Sequence, residues 1–445
     1  MGERHLPPGP RSRNVVSTAA GAVRYLPGFL ERVARDHGDV ACIVVGPLHV
    51  YVLSSPAHAQ DLLETNEHRF EKARGEQRFG RRLLEEGVLV SEGGFHRRQH
   101  RLLYPAVHGE ALERHAGEMV AGARRMASAW RDGDVVEVFD LLSRTTTDVM
   151  VEVMFGRRVD EPPGRELSAA LAEAVDALEH LPAPFLAVSE RLPLGANRRF
   201  DRAEARLDSL VGPVIARARS AGPAGGGVVA DLVRARDDDG AGMDDAQVNS
   251  EALSIFRGHR TAGTALCWMW YLLSRHPGIE EQVLAEIDAV VGDREPTAGD
   301  YAGLGACRRV FDEAERLFPG AWLTSRRAVA EHEFDGYRVP VGATVITSSY
   351  VIHRDPRFHS EPRRFDPGRF LPERRAGWHP FAYFPFGGGS KRCLGDEFAP
   401  FEAVLFLAEI GRRWRLRPVP GHPVAPAPKA TFRPRGGMWL RLERR

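Results

Sequence analysis

The 445-residue chain is poor in cysteine, in net charge and in long apolar runs, and each shortage excludes a class of protein. Its four cysteines are scattered and form no Cys-x-x-Cys pair, so we expect no disulfide framework and a reducing, cytoplasmic location. The 61 basic and 60 acidic side chains give a formal net charge of +1, which offers no argument for a nucleic-acid partner. The N-terminal segment has no apolar run typical of a signal peptide or anchor, so we expect a soluble protein without a membrane span.

What is present predicts a mainly α protein with a small β part. The chain is 43% hydrophobic, enough for a large core. Residues 42–53 predict a β-hairpin with its turn at Gly46 and Pro47, and residues 337–349 predict two short strands. A mostly helical pattern runs from about 109 to 235.

Three further helices surround the segments that bear on function. Asp244 and Gln247 form a capping-box pattern at the start of a helix of roughly 30 residues, which ends before Pro277. A second helix should end at residues 317–318, and a last one should cover about 397–412. No repeat or low-complexity tract interrupts this order.

A glycine-rich segment precedes the last helix, and residues 384–395 read FPFGGGSKRCLG. Consecutive glycines let the backbone approach a flat ligand closely. Near a helix start, the thiolate of Cys393 is favoured by the helix dipole, and an iron held by a thiolate favours O–O bond cleavage. On chemistry alone, a buried free cysteine in a glycine-rich turn explains the segment equally well.

The spacing Phe386-x-x-Gly389-x-Lys391-x-Cys393-x-Gly395 resembles the haem-binding signature of cytochromes P450, which often have Arg or His where this chain has Lys391. The resemblance implies the P450 fold, with a long central helix over a haem and the cysteine loop before the last long helix. It implies haem b as cofactor and Cys393 as the axial ligand of its iron. It also implies one domain over 1–445, with its β-rich part mainly at 25–65 and 320–350.

Two further motifs follow the family order. Glu313 and Arg316 lie one helical turn apart, and Arg369 lies in the later segment FDPGRF. The resemblance implies that these three form the family's buried ion triad beneath the haem. His353, in the run HRDP between the two motifs, is interpreted as structural rather than catalytic.

The resemblance also implies cationic partners for the haem propionates. His96, Arg326 and Lys391 match such positions. His100 stands where the family has an arginine, so either His100 donates to a propionate or Arg101 replaces it.

The central helix departs from the family. Gly258 and Thr261 match the residues that open the helix for dioxygen and help to deliver protons, but the usual acid before the threonine is Arg260. Arginine stays protonated and cannot relay protons by titrating. Another acid or a water chain supplies the protons, or the oxidation is slow or atypical, or the motif is aligned in the wrong register or the chain is a degenerate relative.

The substrate pocket is expected to be mostly apolar. Arg257, where the family has a small residue, either turns away toward solvent or binds a carboxylate or carbonyl of the substrate. The segment at 321–340 resembles bacterial terpenoid-oxidising members, which favours a sesquiterpene or related isoprenoid, with fatty acids second and polyketides and peptides open. The other candidate contacts are Phe79, Val88, Phe185, Phe256, Trp322 and Leu323.

The predicted function is therefore that of a haem-thiolate monooxygenase that oxidises a hydrophobic small molecule. A haem protein with atypical or peroxide-driven oxidation is the alternative. Electrons are expected from a separate ferredoxin and ferredoxin reductase, which a basic surface near Arg97, Arg98, Arg101 and Lys391 could dock, and a monomer is expected. The aspartates at 237–239 and 244–245 are interpreted as a solvated loop rather than a magnesium site.

Overall fold

The computed structural model describes residues 6–12, 25–45, 48–73, 87–162, 164–179, 195–221, 226–428 and 431–445. Helices form the larger part of it. They are α1 (Leu26–His37), α2 (Pro56–Gln60), α3 (Gly93–Val107), α4 (Glu110–Glu113), α5 (Ala116–Ser128), α6 (Val138–Phe155), α7 (Gly164–Glu179), α8 (Gly195–Ala221), α9 (Val228–Arg234), α10 (Asp245–Gly258), α11 (Arg260–Arg275), α12 (Pro277–Val290), α13 (Gly305–Leu317), α14 (Ser349–Ile352), α15 (Pro372–Arg375) and α16 (Phe398–Gly411).

The β part is small and divided. The strands are β1 (Arg11–Ser12), β2 (Val40–Val45), β3 (Leu48–Leu53), β4 (Phe70–Lys72), β5 (Val135–Glu137), β6 (Thr324–Ala328), β7 (His332–Phe334), β8 (Tyr337–Val339), β9 (Thr344–Thr347), β10 (Trp414–Pro418), β11 (Pro426–Pro428), β12 (Phe432–Pro434) and β13 (Trp439–Arg444). Within the described residues, one six-stranded sheet has the order β1-β2-β3-β9-β6-β4 and a three-stranded sheet has the order β10-β13-β5. The remaining strands pair as β11-β12 and β7-β8.

The register of the larger sheet matters for the site. The hairpin of β2 and β3 is antiparallel, with Val40 opposite Leu53, which confirms the predicted hairpin; its turn lies outside the described residues. At the far edge, β4 pairs antiparallel with β6 and sets Lys72 opposite Arg326. Like charges directly opposite each other on neighbouring strands are destabilising, so this edge is suited to an anionic ligand.

The predicted central helix is present, with one interruption. The capping box forms as expected, since the Gln247 N–H donates to Asp244 Oδ1 at 2.8 Å and the Asp244 N–H donates to Gln247 Oε1 at 3.3 Å. Helix α10 ends at Gly258 and α11 begins two residues later, leaving His259 between them. Glycine is a weak helix former, which accounts for the position of the break.

The main core lies around the second half of this helix. Helix α11 packs against α6, α13 and α16. Helix α16 is buried along almost its whole length, as expected for a helix that is apolar on all sides. Trp268, Trp270 and Phe406 are among the largest fully buried side chains, each contributing about 1.5–3 kcal/mol through burial. The core therefore fixes α11, the second half of the central helix. Gly258, at the end of the first half, is left near the cysteine loop.

The other predicted elements are also present. The helix before Pro319 ends at Leu317, and the last helix covers Phe398–Gly411. The two short strands expected at 337–349 are β8 and β9. Across the described residues, no helix combines the length and apolar character needed to cross a bilayer.

Candidate active site

The cysteine loop, residues 384–395, is held by its own backbone. The N–H of Cys393 donates to the carbonyl of Phe386 at 3.0 Å, and that of Gly387 donates to the carbonyl of Phe384 at 3.1 Å. Phe386 stacks on Phe311 of α13, with the ring centroids 6.4 Å apart. The loop is therefore a defined turn packed on α13, rather than a loose connection.

Two of its glycines meet backbone requirements. Gly387 and Gly389 have φ angles of 73° and 66°, in the left-handed region that favours glycine. A Cβ at Gly389 would lie 2.1 Å from the carbonyl oxygen of Leu63, in the helical turn at 61–65. The next N–H, of Ser390, donates to Glu67 Oε2 at 2.7 Å. The glycine run is thus needed to seat the loop against this turn.

Cys393 is the one of the four cysteines, all of them described, that is exposed; Cys42, Cys267 and Cys307 are buried. Its thiol is exposed to a cavity that protein surrounds, so desolvation raises its pKa, while the Gly395 N–H, which donates to Sγ at 3.4 Å, lowers it. Cys393 is therefore the cysteine able to meet a ligand.

The predicted ion triad is present and buried. Arg316 Nε and Nη2 donate to the two carboxylate oxygens of Glu313 at 2.6 and 2.8 Å, and Arg369 Nε lies 3.5 Å from Glu313 Oε1. Arg316 also donates to the carbonyls of His353 and Pro362, both at 2.7 Å. Because Arg316 is bonded to the Glu313 carboxylate and to two carbonyls, its buried charge is tolerated.

His353 links the triad to the cysteine loop. It is fully buried, and burial lowers its pKa well below the usual value. Its Nε2 accepts from the N–H of Phe384 at 3.0 Å, while its carbonyl accepts from Arg316 at 2.7 Å. These contacts agree with the structural role inferred from the sequence.

A cavity of about 420 Å³ brings the loop and the central helix together. The cysteine loop contributes Cys393 and Phe386, and the helix contributes Gly258, Thr261 and Ala262. Of the cofactor residues proposed from the sequence, Gly389 does not line this cavity as the described residues define it; its place is against Leu63. The others that line it are His96, His100, Arg326, Lys391 and Gly395.

The cationic residues approach the cavity from different segments. Lys72 and Arg326 face each other across β4 and β6 and both line the cavity. Lys391 Nζ lies 3.1 Å from Glu92 Oε2, and Lys72 Nζ donates to the carbonyls of Val88 and Ser91, both at 3.0 Å. The positive charge in the cavity is thus built by residues far apart in the sequence.

His96 and His100 extend this set from α3. The ring nitrogens of His96 lie 3.0 Å from the Val88 carbonyl and 3.1 Å from the Ser390 carbonyl. Burial, helped by the charge of Lys72, lowers the pKa of His96 to about 4, so a neutral ring donates to one of the two carbonyls. Burial also lowers the pKa of His100.

His100 and Arg101 lie in different surroundings. His100 lines the cavity, whereas Arg101 pairs with Asp238 at 2.9 Å on the surface. His100 is therefore the residue of the two that can meet a ligand there.

The departure at Arg260 lies at the junction of α10 and α11. Thr261 Oγ1 donates to the Gly258 carbonyl at 3.4 Å, a weak bond that leaves the hydroxyl available. The backbone of Arg260 begins α11, and its side chain lies outside the described part of the chain. At the junction of the two helices, His259 Nε2 lies 3.3 Å from Glu402 Oε2, with both side chains buried.

The predicted substrate contacts divide into three groups. Val88 and Leu323 line the cavity. Phe256 instead packs edge-on against Phe155 in the main core, and Trp322 packs against Phe432; neither is among the described residues that line the cavity. The remaining aromatic candidates, Phe79 and Phe185, lie outside the described residues.

Arg257 takes neither of the two expected positions. It forms an ion pair with Glu204 of α8, and its side chain is only 9% exposed. Burial raises the pKa of Glu204, while the charge of Arg257 lowers it. The pair joins the central helix to α8 beside the cavity.

The expected basic docking surface is largely neutralised. Arg98 pairs with Asp237 at 2.7 Å and Arg101 with Asp238 at 2.9 Å. Lys391, whose side chain is 10% exposed, pairs with Glu92. The aspartate run thus pairs with α3, and no metal-binding cluster is present among the described residues.

The ionisable residues on the cavity that sequence reasoning missed include Lys72 and Glu315. Lys72 is the last residue of β4, a three-residue strand whose partner, β6, lies about 250 residues later in the chain. Glu315 is an inner residue of the Glu-x-x-Arg motif, a position to which the motif assigns no role. No local pattern distinguished either from surface charge.

Comparisons of the sequence agree with this arrangement. The family model described as cytochrome P450 matches residues 7–440. Cyclooctatin synthase of Streptomyces melanosporofaciens is 35% identical over 89% of this chain and 87% of its own length. Pentalenene oxygenase of Streptomyces avermitilis is 30% identical over 97% of this chain and 98% of its own.

The fold agrees as well. The haem domain of cytochrome P450DA has a TM-score of 0.87 at 26% identity, covering 99% of this chain and 98% of that one. The cyanobacterial CYP120A1 bound to retinoic acid has a TM-score of 0.87 at 23% identity and full coverage of both chains; this likeness concerns the fold alone. The chain belongs to the cytochrome P450 family, and it is an oxidoreductase of the monooxygenase class.

Proposed function

We propose that this monooxygenase oxidises a terpenoid, a sesquiterpene or a related isoprenoid, in secondary metabolism. The observation that carries the proposal is the similarity over most of the chain to relatives named for cyclooctatin and pentalenene. The cavity supports it, because its wall away from the cationic residues is formed by apolar side chains such as Leu89, Met150, Ile255 and Leu323. Apolar walls with few polar groups favour a hydrocarbon skeleton over a charged ligand.

The residues of the cavity fit haem b. The exposed thiol of Cys393 faces the same cavity as a set of cationic and imidazole side chains. Side chains of these kinds are suited to bind two propionates. Cys393 would hold the iron, and the propionates would meet His96, His100, Arg326 and Lys391, with Lys72 beside them. When bound, haem supplies the iron at which dioxygen is activated.

The chain's own residues have separate tasks in this proposal. The triad of Glu313, Arg316 and Arg369 fixes the base of the cysteine loop, because it holds the carbonyl of His353. Gly258 leaves room on the central helix, and the Thr261 hydroxyl holds a proton within the cavity. The apolar walls exclude water from the substrate.

The wider setting follows from the family and the composition. We expect electrons from a ferredoxin and its reductase, a cytoplasmic monomer, and one catalytic domain over the whole chain. Because Arg98 and Arg101 are paired with aspartates, the docking of an acidic ferredoxin should depend only modestly on salt.

An optical titration of the purified haem-loaded protein tests the substrate class. Neutral sesquiterpenes, larger neutral terpenoids, terpenoid acids and fatty acids are added in turn while the Soret band is recorded. A shift toward high spin with neutral terpenoids at micromolar concentration supports the proposal. Shifts with fatty acids alone would replace it with fatty-acid hydroxylation.

Arg260 supports a second candidate function, an oxidation that is driven by peroxide. The basic residue stands where an acid usually serves proton delivery. Product formation with NADPH and surrogate ferredoxin partners is compared with formation from hydrogen peroxide alone. Turnover only with peroxide would favour this second function.

A further inference from the structure

Glu315 is a buried carboxyl group that neither the ion triad nor the cationic set uses. It lies on α13, between the triad residues Glu313 and Arg316, with a side chain only 5% exposed. Whereas Glu313 faces the two arginines, Glu315 lines the cavity. Burying a carboxyl group that has no ion-pair partner costs free energy. A group of this kind at a cavity wall is therefore a candidate for a functional residue.

Its position relative to the central helix is defined by Gly320. The N–H of Gly320 donates to Glu315 Oε2 at 3.2 Å. A Cβ built on Gly320 would lie 3.2 Å from Thr261 Cβ and 3.9 Å from Glu315 Oε1. The second carboxyl oxygen and the threonine side chain thus flank one point on the cavity wall, and one or two water molecules can bridge such a gap.

We propose that Glu315 supplies protons to Thr261, in place of the acid that Arg260 displaces from the central helix. Glu315 acts through Thr261 and is a positioning and proton-supplying residue rather than one that touches the substrate. A proton passes from the carboxyl Oε1 to a bridging water, that water passes one of its own to Thr261 Oγ1, and the hydroxyl releases its proton into the cavity. Between turnovers, the carboxylate regains a proton from water.

The charges around Glu315 suit this task. Burial raises its pKa to about 7, the Gly320 N–H lowers it, and the nearby Asp312 raises it. Asp312 itself is bonded to Tyr383 and paired with Arg308. Among the described residues beyond α13, the charge of Glu315 raises the pKa of Tyr383 and that of Cys393. An acid that titrates near neutral pH can both hold and release a proton.

The chain offers a matched control. Glu251, on α10, is also almost fully buried, and burial raises its pKa to about 7 as well. It accepts one backbone N–H, that of Val88, at 2.8 Å. Among the described lining residues of the cavity, however, Glu251 is absent, so Glu251→Gln reproduces the loss of a buried acid without removing one beside Thr261.

The first test reads the proton itself, independently of turnover. Infrared difference spectra of the haem-loaded protein are recorded between pH 5 and 9 for the parent, Glu315→Gln and Glu251→Gln. We expect a carboxylic-acid C=O band that titrates near pH 7 and that Glu315→Gln removes while Glu251→Gln leaves it in place. If no band near neutral pH is lost in Glu315→Gln, the proposal is overturned.

The second test reads the function of that proton. With surrogate ferredoxin partners and the best ligand from the optical titration, Glu315→Gln should lower kcat at least about 100-fold. It should also remove the limb of the pH profile near 7 and raise the fraction of electrons lost as hydrogen peroxide. Glu315→Asp should restore part of the rate with a shifted limb, and Glu251→Gln should keep the parental limb. An unchanged pH profile and peroxide yield in a folded, haem-loaded Glu315→Gln would overturn the proposal, whereas failure of every terpenoid ligand would bear on the substrate class alone.

Discussion

Arg257 of the central helix and Glu204 of α8 form an ion pair beside the cavity, with side chains 9% and 18% exposed. One of the two alternatives from the sequence was that Arg257 binds an acid on the substrate. In the structure, the acid that pairs with Arg257 is Glu204 of the protein itself. The pair holds α8 to the helix that carries Thr261.

This pair predicts how the two positions respond to substitution. Arg257→Leu should destabilise the protein by about 2 kcal/mol, because it leaves a poorly solvated carboxylate without its partner. The double variant Arg257→Leu with Glu204→Leu should recover most of that loss. Urea unfolding of the three proteins measures this, and equal stability of both variants would contradict it. Optical titration should show that neutral terpenoids bind the double variant within about threefold of the parent, which corresponds to about 0.7 kcal/mol.

The triad predicts a larger loss. Arg316→Leu should cost about 3–5 kcal/mol of unfolding free energy, because it strands the buried Glu313 carboxylate and the carbonyls that Arg316 bonds. Arg144→Ala is the control, as Arg144 forms an exposed pair with Asp140 and should change stability by no more than about 0.5 kcal/mol. Comparable losses in the two variants, measured by chemical denaturation, would refute the assigned role.

Glu315 predicts a pH dependence of stability. Its folded pKa, about 7, exceeds the ordinary value of 4.5, so between these values the folded protein binds more protons than the unfolded chain. Its contribution to the unfolding free energy therefore falls as the pH rises from about 4.5 to about 7, by about 3 kcal/mol in total. Relative to Glu315→Gln, the parent should lose stability over this window and change little above it. Parallel curves, with the exposed Glu281→Gln as control, would contradict the raised pKa.

Gly389 predicts a strong effect of a single methyl group. Gly389→Ala places a Cβ against the Leu63 carbonyl at a positive φ and should cost about 3 kcal/mol or more, with reduced haem content. Gly377→Ala is the matched control, because nothing lies within 4 Å of a Cβ there; it should remain within about 0.5 kcal/mol. Thermal unfolding and the Soret absorbance per protein measure both effects.

The parts of the site that could be predicted from the sequence are those coded locally. The cysteine loop and the Glu313–Arg316 pair each lie within one short segment, so spacing alone indicates which side chains meet. Lys72 could not be found in this way, since its significance comes from Arg326 on a strand about 250 residues later. The three-stranded sheet was missed for the same reason: β5 has three residues and pairs with the last strand of the chain.

Side-chain direction was the second obstacle. Phe256 and Ile255 are adjacent, yet Ile255 lines the cavity and Phe256 packs on Phe155. The apolar pattern identifies a helix surface that avoids water, but a packed core and an apolar cavity avoid water alike. Only the neighbouring helices decide which of the two a residue faces.

The pairs Arg98–Asp237 and Arg101–Asp238 do more than cancel charge. They tie α3, which presents His96 to the cavity, to the loop from which α10 departs. A partner protein that binds the outer face of α3 would therefore also meet the loop that leads into the central helix. Residues of both α3 and the central helix line the cavity, so these surface ion pairs connect two elements of its wall.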